Sequence, residues 1–72
     1  MVVEFSRIVA SDVDRDGLGL ELWQGEKQVA EIFRSDRKRE LTITLWEENL
    51  PLEIIDGFIA DAKNRLLPFV AD

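Results

Sequence analysis

Pro51–Leu67, PLEIIDGFIADAKNRLL, is the one stretch of this chain that reads firmly as an α-helix, and the rest can be laid out around it. Leu52, Ile55, Ile59, Ala62 and Leu66 recur at gaps of three and four, which keeps them on one face at about 3.6 residues per turn. Ile54 and Phe58 widen that stripe, while Glu53, Asp56, Lys63 and Asn64 fall away from it. A stripe this wide is what a helix needs to pack on a sheet. Pro51 suits the first turn, where its missing N–H has no partner to lose, and Asn49 or Leu50 is then the expected N-cap. Pro68 cannot continue a helix and should stop it near Leu67. Gly57 is a weak point within it, read either as a surface glycine or as a point of close backbone approach by a partner.

The segments before the helix read as strands. Val2–Ala10, VVEFSRIVA, is rich in β-branched residues but changes parity between Phe5 and Ile8, which predicts a bulge or cover on both faces. Ser11–Gly17, SDVDRDG, is a turn by composition, and Gly17 can take the positive φ that closes such turns. Leu18–Gln24 alternates cleanly: Leu18, Leu20 and Leu22 share one side, Gly19, Glu21 and Trp23 the other. A hairpin loop at Gly25–Lys27 leads into Gln28–Arg34, and sets Leu22 opposite Ala30 and Leu20 opposite Ile32. A two-residue Gly25-Glu26 loop would place Leu20 opposite Glu31, so the longer loop is preferred because it keeps the carboxylate out of the core. Glu40–Glu47, ELTITLWE, follows a charged tip and puts Leu41, Ile43 and Leu45 in one row.

Short connections favour an antiparallel meander in chain order. The expected fold is therefore α+β: a four-stranded antiparallel β-meander with one C-terminal helix packed on one face, ββββα, over residues 1–72 as a single small domain. The expected core joins Leu18, Leu20, Leu22, Ala30, Ile32, Leu41, Ile43 and Leu45 of the sheet to Leu52, Ile55, Phe58, Ile59, Ala62 and Leu66 of the helix. A chain this short buries only about 60% of its unfolded surface, so its stability margin is thin.

One helix covers one face. The other carries Trp23, Val29, Phe33 and Trp46 among Glu21, Glu31, Thr42 and Thr44. Large aromatic side chains on an open face mark interaction surfaces. These four residues are the expected partner site, with a homodimer the first expectation. The alternative is that the N-terminal segment or the Phe69-Val70 tail folds over them.

Asp12-Val13-Asp14-Arg15-Asp16-Gly17 matches DxDxDG, the opening half of a calcium loop, in which alternate oxygens point inward and glycine permits the turn. Asp12, Asp14 and Asp16 are the candidate ligands of a calcium module. The second half departs from the pattern, because the bidentate Glu falls on Trp23 and no flanking helices are expected. The plainer expectation is a turn whose Asp side chains bond nearby N–H groups.

Nine basic against fifteen acidic residues give a net charge of −6, which repels nucleic acid and anionic membranes over most of the surface. The cations of Arg34-Ser35-Asp36-Arg37-Lys38-Arg39 have no interleaved aromatic residue and read as a solvated tip or as the positive half of a charge-complementary partner surface. No cysteine, no secretory signal and no membrane-length apolar run fit a cytoplasmic chain. His, Cys and Tyr are all missing, and no hydroxyl sits in a nucleophile pattern, so no catalytic activity and no cofactor are expected. The functions expected are a protein-interaction module, a calcium module, or an acidic inhibitor of the immunity-protein type that meets a basic partner.

Overall fold

The computed structural model describes residues 4–70. Its elements are β1 (Phe5–Asp12), β2 (Gly17–Gln24), β3 (Lys27–Ser35), β4 (Glu40–Leu45) and α1 (Leu52–Leu66). The strands form one antiparallel sheet in the order β1-β2-β3-β4, and α1 packs mainly across β2 and β3. This is the ββββα meander that alternation and short loops dictate. Val2 and Val3, expected at the start of the first strand, lie outside the described residues.

Leu20 pairs with Ile32 and Leu22 with Ala30, as core exclusion of Glu31 requires. The hairpin nevertheless closes on Gln24 and Lys27, with only Gly25 and Glu26 between them. A bulge reconciles the two: Trp23 pairs with Gln28 while Leu22 pairs with Ala30, so Val29 is the extra residue on β3. The bulge expected in the first strand is therefore in the second hairpin, and β1 runs in unbroken register with β2. Gly25 takes the positive φ of the tight turn, at 62°.

The core gathers Leu20, Leu22, Val29, Ala30 and Ile32 from the sheet against Phe58, Ala62 and Leu66 from α1. Phe58 is fully buried, and its removal to Ala should cost about 3–5 kcal/mol. The buried stripe thus runs Phe58, Ala62, Leu66, at spacings of four, with Ile54, Ile55 and Ile59 packed on its margins.

Several expected core positions are not buried. Ile43 is 45% exposed, Leu45 54% and Leu52 74%. The physical reason is placement: α1 sits over the two central strands, and a single helix about 10 Å wide does not reach across to β4.

The helix starts at Leu52 with Pro51 in the capping position and no side-chain cap. Asn49 is instead in the left-handed region, at φ 57°, where it turns the chain toward the helix. Arg34 supplies the order at the far end. Its Nη1 donates to the carbonyl of Leu66, one of the carbonyls that a helix C-terminus leaves without partners. Arg34 Nη2 also donates to Asp36 Oδ2 (3.1 Å), and Asp36 Oδ1 accepts from the Val70 N–H (3.0 Å), tying the tail to the same corner. Arg34 Nε lies 2.9 Å from Asp36 Oδ1 as an ion pair, though not aligned for a hydrogen bond.

Gly57 faces β1. A Cβ there would come within 3.0 Å of Arg7 Nη2, and Arg7 in turn pairs with Asp61 on the helix at 3.2 Å. The close approach that Gly57 permits is thus by the chain's own arginine.

Candidate functional site

The sheet face away from the helix is closed in part by Arg15, which reaches back from the β1–β2 turn. Its guanidinium donates through Nη1 and Nη2 to Glu31 Oε1 and Oε2, at 2.9 and 2.8 Å, in the two-pronged geometry that suits a carboxylate. The same group lies 4.0 Å from the centre of the Phe33 ring. Glu31 is only 8% exposed and Phe33 only 7%, so both are buried beneath this arm. Room for the ring comes from Gly17, where a Cβ would lie 2.5 Å from Phe33 Cζ and 2.0 Å from the Arg34 carbonyl oxygen. Positive φ falls on Asp16 instead, at 53°. Gly17 is required for closeness of backbone and ring rather than for its dihedral.

This arm corrects the partner site expected from sequence. Phe33 is 7% exposed in the single chain, with Arg15 over its ring. Val29 is fully buried in the main core, because the bulge turns it inward. Trp23 is half-buried and donates its indole N–H to Glu21 Oε1 at 3.0 Å. Trp46 lies just past the end of β4 and is 54% exposed, with its backbone N–H bonded to the Val29 carbonyl at 2.9 Å. The four residues do not make one exposed patch.

The same arm bears on the aspartates of the DxDxDG turn. Asp12 accepts from the Arg15 backbone N–H (3.1 Å) and from Arg15 Nε. These bonds, the side-chain one foremost, hold the Asp12 carboxyl below its usual range, while Glu31 first and Asp12 second push the Arg15 guanidinium up. Asp12, Asp14 and Asp16 do not converge: among the described residues, no three acidic, histidine or cysteine side chains gather where they could hold a metal ion. Within the turn, Asp12 bonds a nearby backbone N–H, as the plainer reading expects of its Asp side chains.

The basic tip is likewise reduced. Arg34 is turned inward, as described, and Arg39 lies over the Phe69 ring at 5.1 Å. Arg37, Lys38 and Arg39 are exposed in the turn before β4. Beyond its far end come Glu47, which accepts from Lys27 Nζ, and exposed Glu48. Lys27 holds the Glu47 carboxyl below its usual range.

What is open is the β4 flank. Among the described residues β4 is an edge strand, paired only with β3. Trp46 N–H points to β3, and alternation then turns the backbone groups of Leu41, Ile43 and Leu45 outward. Their side chains share the helix side of the sheet, through the pairs Arg34–Leu41, Ile32–Ile43 and Ala30–Leu45. Between them and α1 runs a mainly apolar groove of about 180 Å³, lined by Ile32, Leu41, Ile43, Ile59 and Ala62, with Thr42 and Lys63 at it as well. Leu52, the first residue of α1, is 74% exposed. No charged side chain interrupts Leu41–Trp46. Sequence reading missed this flank because it assigned Ile43, Leu45 and Leu52 to the core.

Among the described residues, no helix is long and apolar enough to cross a membrane. In comparison with known proteins, the chain matches no protein-family model, no curated protein and no solved structure.

Proposed function

We propose that this chain is a protein-interaction module that works by self-association, and that the β4 flank is its contact surface. The observation that carries this is the joint exposure of Ile43, Leu45 and Trp46 along a strand edge that is unpaired among the described residues, with Leu52 exposed at the start of α1. Edge strands of soluble domains are ordinarily blunted by charge, proline or a covering element. β4 has a continuous apolar and β-branched run instead, which a bound polypeptide would cover. Relative to the expectation from sequence, the contact surface moves from the Trp23 face to the neighbouring flank, and Trp46 stays at its margin.

The test is sedimentation velocity on the wild-type chain and on Leu45→Ser/Leu52→Ser, over roughly a hundredfold range of concentration. Both substituted side chains are exposed in a single chain, so the variant should fold with little loss of stability. The wild type should show a concentration-dependent mass and the variant should remain a monomer. A variant that associates as the wild type does would refute the role of this flank.

A further inference from the structure

We infer that the occupant of the β4 edge is the β4 edge of a second copy, paired antiparallel about a twofold axis at Ile43, so that the two sheets join into one. This rests on the reading of the β4 flank just given, and adds to it the partner, the direction and the register.

Charge decides the direction. The turn before β4 carries the exposed cations Arg37, Lys38 and Arg39, the strand itself opens on exposed Glu40, and it is followed by Glu47, which already accepts from Lys27, and by exposed Glu48. Parallel docking would set like charges together at both ends. Antiparallel docking sets the cationic turn of each copy against the anionic loop of the other, twice in one dimer. The strand is complementary to itself, although the molecule carries a net charge of −6 that would otherwise oppose association.

Pleat and hydrogen bonding decide the register. A twofold axis normal to the sheet keeps the helix side of one copy continuous with that of the other. Residues directly opposite must then come from the same face. Centring on Ile43 pairs Ile43 with itself and Leu41 with Leu45, so the three apolar side chains exposed or half-buried in one copy meet their equivalents. These are also the residues whose N–H and C=O groups point outward, so each pair can exchange both of its hydrogen bonds. Thr42 falls opposite Thr44 on the other face, a favourable cross-strand pair. Centring on Thr42 instead would put Leu45 opposite Arg39, and would centre the pairing on a residue whose backbone groups already face β3. The flanks of the two helices, with Ile59 and Leu52, would then border the seam from above.

Two measurements test this together. The first uses Lys38→Glu and Glu48→Lys, two exposed residues away from the core. Each alone places like charges at both ends of the seam and should weaken self-association by roughly tenfold. An equimolar mixture, or the double variant Lys38→Glu/Glu48→Lys, restores opposite charges and should recover the wild-type dissociation constant to within about twofold. The second uses the absence of cysteine from the chain. Directly opposite residues of a hydrogen-bonded pair lie about 5.5 Å apart, within disulfide reach. Ile43→Cys should therefore cross-link to its own copy under mild oxidation, and Thr44→Cys should not. A dimer that Leu45→Ser/Leu52→Ser abolishes, but that ignores the charge exchange and does not cross-link through position 43, overturns this inference and leaves the proposed function standing. A dimer that persists in Leu45→Ser/Leu52→Ser and is lost in Trp23→Ser/Trp46→Ser overturns both, as does a wild-type chain that stays monomeric at every concentration.

Discussion

Arg15 and Glu31, sixteen residues apart, meet through two parallel hydrogen bonds of 2.9 and 2.8 Å on the face of the sheet that no helix covers. Glu31 is nearly buried and depends on this cation for its partners, and Phe33 depends on it for cover. The turn that resembles half a calcium loop is in this way the root of a lid.

Removing the lid should be costly. Arg15→Ala would strand the Glu31 carboxylate in a nearly buried position, and a loss of about 1–3 kcal/mol is expected in urea unfolding. Glu31→Gln in the same background should recover part of that loss, because a neutral amide tolerates the site better than an unpaired charge. Equal stability of Arg15→Ala and wild type would show that the pair contributes nothing. Calcium in excess should leave the melting temperature of the wild type unchanged, since Asp12 already accepts from Arg15.

Two glycines should answer to alanine with opposite signs. At Gly17 the new Cβ would collide with a backbone oxygen at 2.0 Å and a ring carbon at 2.5 Å, neither of which can yield cheaply. Gly17→Ala should destabilise by about 3 kcal/mol. At Gly57 the nearest atom is the far end of the Arg7 side chain, at 3.0 Å, which can swing aside. Helix propensity then dominates, and Gly57→Ala should stabilise by about 0.5–1 kcal/mol. Thermal melts of the two variants side by side check this, and a destabilised Gly57→Ala would mean that the Arg7–Asp61 pair outweighs propensity.

Acid should loosen the molecule in a defined window. Asp12, Asp36 and Glu47 all titrate below their ordinary values of 3.8, 3.8 and 4.5. The causes are the Arg15 side chain for Asp12, the Val70 N–H and then Arg34 for Asp36, and Lys27 for Glu47. A carboxyl whose value is lowered by folding contributes stability that is complete above its unfolded value and disappears as pH falls through its folded one. The melting temperature should therefore be level from neutral pH down to about 5 and drop below about 4. Asp36→Asn should shallow that drop. An acid limb identical to the wild type would remove Asp36 from the account.

Much of the architecture was legible from residues alone. Alternation in Leu18–Gln24 and Glu40–Glu47, a period near 3.6 in Leu52–Leu66 and turn residues between them specify four strands and a helix, because each pattern is imposed by local backbone geometry. Even the pairing of Leu20 with Ile32 followed, since a slip of one residue would have buried Glu31 in the main core. What local pattern does not encode is how far one element reaches over another. Only the three-dimensional arrangement decided that α1 covers β2 and β3 but leaves Ile43, Leu45 and Leu52 outside. It alone decided that an extra residue at Val29 turns one apolar side chain inward, and that Arg15 closes over Phe33. These outcomes depend on helix width, a bulge and a long side chain acting across sequence-distant segments, and periodicity carries no record of any of them.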